Sequence, residues 1–122
     1  MKTILIAEDE AVLAETVALF LRHEGYRVQW ASDGTQAVKM VEDKEPDLVI
    51  ADLVMPNMGG LQLLEWLRDR RSLDGVKFIL MTVKETVLEP LKRHQVEADA
   101  YLAKPFDKIT LLRSVRELIG EG

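Results

Sequence analysis

The sequence predicts a doubly wound α/β fold, five parallel strands alternating with helices, and three observations lead there. Ile4 to Ala7, Leu48 to Ala51 and Phe78 to Met81 are apolar at consecutive positions, as in strands covered on both faces. Segments with helical spacing separate them. The chain has 122 residues, 48% of them apolar and 30% charged, which suits one soluble domain over residues 1–122 with a core of its own.

The elements follow in order. After the first strand, Ala11 to Glu24 places Val12, Leu13, Val17, Phe20 and Leu21 at spacings that can share a helix face, and Gly25 stops it. Tyr26 to Trp30 alternates apolar and polar, as an edge strand does. Asp33 is placed to cap a second helix running to about Asp43, with Glu45-Pro46 as its exit. The third strand ends at Asp52, and Leu61 to Arg70 forms a third helix after Gly59-Gly60. Asp74-Gly75 turns the chain into the fourth strand. A fourth helix within 85–95 is interrupted by Pro90, which predicts a late start or a kink. Ala100 to Ala103 makes a short fifth strand. A last helix follows Asp107, with Ile109, Leu112, Val115 and Leu118 or Ile119 inward, until Gly120.

Five βα repeats with right-handed crossovers give a parallel sheet covered on both faces. The fully apolar first, third and fourth strands belong in its middle, which gives the order 2-1-3-4-5, the flavodoxin-like (βα)5 arrangement.

Charge and composition exclude several classes. No cysteine is present, so thiol chemistry and disulfides are out, in keeping with a cytoplasmic chain. The N-terminal apolar run is too short for a secretory signal, and no run suits a membrane span. The net charge of −5, with cations scattered, gives no support for direct nucleic-acid binding. Arg68, Arg70 and Arg71 read as a solvated helix end.

In a sheet of this order ligands bind beyond the carboxyl ends of the strands, at the reversal between strands one and three. Glu8-Asp9, Asp52, Thr82 and Lys104-Pro105 occupy those ends. Each alone is ordinarily a cap or a surface group. Four strand ends converging on one crevice are hard to explain that way. Three carboxylates against one ammonium leave two negative charges, which a divalent cation balances. All-oxygen donors without His or Cys point to Mg²⁺, with Mn²⁺ as the alternative. The expected ligands are Asp9, Asp52 and the Val54 backbone carbonyl, with Glu8 acting through water. A carboxylate held there can serve as a nucleophile toward phosphorus, and Asp52 is the central one. Lys104 and Thr82 are placed to neutralise charge on the transferred group.

These residues closely resemble the response-regulator receiver family over essentially the whole chain: Ile4 to Glu10 with its acidic pair, Ala51-Asp52-Leu53-Val54-Met55-Pro56-Asn57-Met58-Gly59-Gly60, and Ala103-Lys104-Pro105-Phe106. The resemblance implies a phosphorelay role in which a sensor histidine kinase or phosphotransfer protein donates to Asp52 with Mg²⁺. It implies that Thr82 binds the new phosphoryl group and that Tyr101 turns inward. The face of the fourth helix, fifth strand and last helix then changes toward a downstream protein or a fused output domain. It also implies a cis Lys104–Pro105 peptide. Glu8 stands where Asp is more usual, and Val83 where Ala or Gly is common. Val54, Val83 and Lys84 are expected to modulate the rates, Val83 by slowing hydrolysis.

Two further classes compete. A metal-dependent phosphohydrolase with an Asp nucleophile usually has a second acid two residues on, where this chain has Val54. A flavodoxin-like cofactor binder needs a Gly/Ser/Thr-rich phosphate cradle, and this crevice is acidic. A receiver that only binds proteins, without phosphorylation, would not need every site position kept. The chain is expected to be a receiver acting alone or excised from a longer regulator, and not an enzyme beyond phosphotransfer to itself and its own dephosphorylation.

Overall fold

The computed structural model describes residues 1–83 and 97–122. Five strands, β1 (Thr3–Ala7), β2 (Arg27–Ala31), β3 (Leu48–Asp52), β4 (Lys77–Val83) and β5 (Ala100–Lys104), form one sheet in the order β2-β1-β3-β4-β5. All four pairings are parallel, with Ala7 opposite both Ala31 and Ala51, Asp52 opposite Met81, and Val83 opposite Lys104. The flavodoxin-like order is the one expected from the apolar central strands.

Because side chains alternate across a strand, each strand feeds two cores. Ile4, Ile6, Leu48, Ile50, Ile79, Met81 and Leu102 pack under α1 (Ala11–His23) and the C-terminal helix (Lys108–Ile119). Leu5, Ala7, Val49, Ala51, Phe78 and Leu80 pack under α2 (Gly34–Asp43) and α3 (Gly60–Arg68). A fully buried Ile, Leu or Phe in such a layer contributes roughly 1.5–3 kcal/mol.

Two helix faces differ from the sequence reading. In α1 the buried residues are Ala14, Val17, Ala18 and Leu21, while Val12 is exposed. At 100° per residue Val12 lies nearly opposite that stripe, so small alanines replace it in the close packing of helix on sheet. In the C-terminal helix Leu111, Leu112 and Val115 are buried, while Ile109, more than a quarter turn round from that stripe at 100° per residue, is exposed.

The caps follow local chemistry. The Asp33 carboxylate accepts from the Gln36 N–H at 2.9 Å, and that of Asp107 from the Thr110 N–H at 2.7 Å, each satisfying a free donor of the first turn. Helix α3 stops at Arg68, and a 3-10 turn at Arg71–Leu73 leads into β4. Arg68 is no solvated helix end. Its guanidinium reaches the Val76 carbonyl at 2.9 Å and Asp99 at 2.8 Å, and the Asp99 carboxylate also accepts from the Phe78 N–H at 2.8 Å. Arg70 instead lies over the Trp66 ring, 4.2 Å from its centroid. Pro90 and the expected fourth helix lie outside the described residues.

Candidate functional site

Period-two alternation explains which polar groups meet. Ile4-Ile6-Glu8, Leu48-Ile50-Asp52 and Leu102-Lys104 each continue one face of the sheet, the face under α1 and the C-terminal helix. The three polar residues stand where those apolar rows reach the carboxyl edge. Lys104 is two strand spacings from Asp52, about 10 Å of backbone separation, which its long side chain spans. The ammonium lies 2.6 Å from Asp52 Oδ2 and 2.9 Å from Glu8 Oε1.

Glu8 has no exposed surface. Its other carboxylate oxygen accepts from the Glu10 N–H at 3.0 Å, its own N–H donates to the Ala31 carbonyl, and its carbonyl accepts from the Trp30 indole at 2.7 Å. Burial raises the Glu8 pKa, and the Glu10 and Lys104 hydrogen bonds only partly offset it. For Lys104, burial pulls the pKa down but the hydrogen bonds to Asp52 and Glu8 outweigh it, so it stands above its ordinary value. The ammonium is therefore a fixed positive charge at neutral pH.

Glu8, Asp9 and Asp52 each offer an oxygen, and these oxygens lie within 4.8 Å of one another. Asp9 is exposed and Asp52 partly buried, so the cluster opens outward. Three hard anionic donors with a single ammonium fit a divalent cation with oxygen preference. The Val54 N–H sits 3.3 Å from Asp52 Oδ1, and the Val54 side chain is exposed.

The end of β3 is held by a close approach. A Cβ on Gly60 would lie 2.4 Å from the Asp52 carbonyl oxygen and 2.7 Å from Leu80, so only glycine lets α3 begin there. The Gly60 N–H donates to the Leu53 carbonyl, and the Leu53 N–H to the Met81 carbonyl. Asn57, at φ +66, donates its side-chain amide to Asp33 at 2.7 Å, tying this loop to the start of α2.

Thr82 is buried at the end of β4, on the opposite face of the sheet from Asp52 and on the same face as Tyr101. Tyr101 is half-buried against the core under α2 and α3. Val83 is exposed opposite Lys104. The Lys104–Pro105 peptide is cis. Lys84 lies outside the described residues. The contacts of Trp30, Asn57 and the Arg68–Asp99 pair were not anticipated, since nothing local in the sequence marks partners so distant in the chain.

A family model for the response regulator receiver domain matches residues 4–116, and the chain belongs to that family, whose general role is that of a phosphoacceptor in two-component signalling. The chain is similar to the DNA-binding response regulator MtrA of Mycolicibacterium paratuberculosis, 36% identical over 113 residues that make up 93% of this chain and 49% of that protein. It spans about half the length of the curated relatives it matches. Among solved structures it is similar to the signal receiver domain of a signal transduction histidine kinase from Syntrophus aciditrophicus, with TM-score 0.90 and 30% identity over 98% of this chain and 90% of that one. It is also similar to the receiver domain of the sensor histidine kinase PA1611 from Pseudomonas aeruginosa, which has a magnesium ion coordinated in its active-site cleft, with TM-score 0.86, 30% identity and 98% coverage of both chains. No helix among the described residues is long and apolar enough to cross a membrane.

Proposed function

We propose that the chain is a phosphorylation-operated switch that accepts a phosphoryl group on Asp52 from a sensor histidine kinase or phosphotransfer protein. The observation that carries this is the placement of the Asp52 carboxylate 2.6 Å from the Lys104 ammonium and within one cluster with Glu8 and Asp9. An Asp52 carboxylate oxygen attacks phosphorus, the bond from phosphorus to the donor nitrogen breaks, and the electron pair leaves with the donor imidazole. Lys104, already positioned, offsets charge on the transferred oxygens.

Asp9, Asp52 and the Val54 carbonyl would hold Mg²⁺ directly, with Glu8 acting through water and Mn²⁺ as the alternative ion. When bound, the cation neutralises the carboxylate cluster and the incoming phosphoryl oxygens. Glu8 keeps Lys104 aimed into the crevice, and the Val54 N–H orients the Asp52 carboxylate. Val54, with an exposed aliphatic side chain two residues after Asp52, supplies no general acid, which favours acceptance over phosphohydrolase turnover.

Thr82 and Tyr101 share one face of adjacent strands, a placement that supports the switch: Thr82 bonds the phosphoryl group and the vacated space admits the Tyr101 ring. A downstream protein or a fused output domain reads that change. Direct nucleic-acid and membrane contacts by this segment are not part of the reading, and a cytoplasmic location is. The single domain covers 1–122. The test is intact mass after incubation with acetyl phosphate. One phosphate added with Mg²⁺, none after chelation and none in Asp52→Asn is expected; equal labelling of Asp52→Asn overturns the assignment.

A further inference from the structure

Trp30 sits on the edge strand β2 and is 41% exposed, yet its polar end points inward. The indole Nε1–H donates to the Glu8 carbonyl at 2.7 Å. Register ends one residue earlier in β1, at Ala7 opposite Ala31, and the Glu8 N–H still donates to the Ala31 carbonyl at 3.0 Å. The indole thus extends the link between β2 and the end of β1 past the last rung of the sheet. The carbonyl it holds belongs to the Glu8–Asp9 peptide. A peptide is planar, so fixing that C=O fixes the Asp9 N–H and the position of the Asp9 Cα, from which the Asp9 side chain starts. The Glu8 side chain is anchored separately, by Lys104 and the Glu10 N–H. Burial does not account for Trp30, because the ring forms one wall of an open groove with Ala14, Glu15, Ala18, Leu19 and Arg22.

We propose that Trp30 is a positioning residue for divalent-cation binding: its indole N–H orients the Glu8–Asp9 peptide and so aims the Asp9 carboxylate into the cluster with Asp52. This rests on the reading of Asp9 as a metal ligand. Phe at position 30 keeps a ring in the open groove and removes the donor. A neutral hydrogen bond of ordinary net strength then corresponds to an affinity weaker by about threefold to tenfold.

The experiment is a titration of the full chain with Mn²⁺, followed by the paramagnetic resonance of the free ion, for wild type, Trp30→Phe and Trp66→Phe. Trp66, under Arg70 on α3, is the control. Weaker binding in Trp30→Phe alone is expected. A lower denaturation midpoint in Trp30→Phe with unchanged Mn²⁺ affinity overturns the proposal and leaves the receiver reading intact. A wild type that binds no Mn²⁺ overturns both. Should Trp30→Phe fail to fold, the wild-type indole ¹H–¹⁵N resonance of Trp30 decides. It is expected to shift with the Mg²⁺ binding midpoint while that of Trp66 stays, and a Trp30 resonance unmoved at saturation overturns the proposal.

Discussion

Lys104 ends β5 and Glu8 directly follows β1, strands that never touch, and their side chains meet at 2.9 Å across the ends of β3 and β4. The pair closes over the carboxyl edge of the sheet and takes in Asp52 on the way. Removing the ammonium leaves the fully buried Glu8 carboxylate without its cation. Lys104→Met is therefore expected to lose about 1–3 kcal/mol in urea denaturation, the cost of a buried carboxylate that loses its cation but keeps the Glu10 N–H. Lys104→Met combined with Glu8→Gln should recover most of it. A single variant as stable as wild type would show that the pair is not coupled.

The close approach at Gly60 carries its own prediction. Alanine there drives a methyl group into the Asp52 carbonyl and Leu80. Gly60→Ala should cost about 1–3 kcal/mol as an overpacked site and slow acetyl phosphate labelling, because the backbone that must yield is that of the proposed acceptor, Asp52. Gly75→Ala, with open space around it, is the control and should change neither.

Asp33 sets an acid limb. Hydrogen bonds from the Thr35 hydroxyl, the Gln36 N–H and the Asn57 amide hold its pKa at about 2, below the ordinary 3.8. The folded state binds that proton less tightly than the unfolded one, so the stabilisation is complete above 3.8 and is lost as pH falls through about 2. Asp33→Asn keeps a capping side chain and removes the charge. The stability gap between wild type and Asp33→Asn should narrow steadily from pH 5 to pH 2; a gap independent of pH contradicts the assignment.

Val83 is exposed at the end of β4, opposite Lys104, and we propose that its branched side chain restricts the approach of water to a phosphorylated Asp52. Val83→Ala is expected to shorten the half-life of the phosphorylated chain roughly fivefold, about 1 kcal/mol of barrier. Phosphate release followed after removal of the donor checks it. An unchanged or longer half-life removes Val83 from the rate-setting residues.

Much of this was legible in the sequence because strands carry their own coordinates. Apolar runs ending in Glu8, Asp52 and Lys104 name both the central strands and the edge at which they end, and alternation puts the three side chains on one face. Helices were less legible. Val12 and Ile109 are apolar but lie on the outer faces, and only the docking angle, which tertiary packing sets, distinguishes them from Ala14 and Leu111. The least legible features were contacts whose partners are far along the chain: Trp30 with Glu8, Asn57 with Asp33, Arg68 with Asp99. Each involves a side chain that is ordinary in its local setting. Arg68 looked like a solvated helix end because nothing within α3 reveals that Asp99 will stand beside it.

The central claim is that Asp52, among the carboxylates of its cluster, is the one that takes the phosphoryl group. The direct measurement is to phosphorylate the chain with acetyl phosphate and Mg²⁺, reduce the acyl phosphate with borohydride, and map the peptides by mass. Homoserine at position 52, with Glu8 and Asp9 unmodified, is the predicted result. Reduction at Glu8 or Asp9, or an unmodified position 52 in a chain that has gained phosphate, would contradict it.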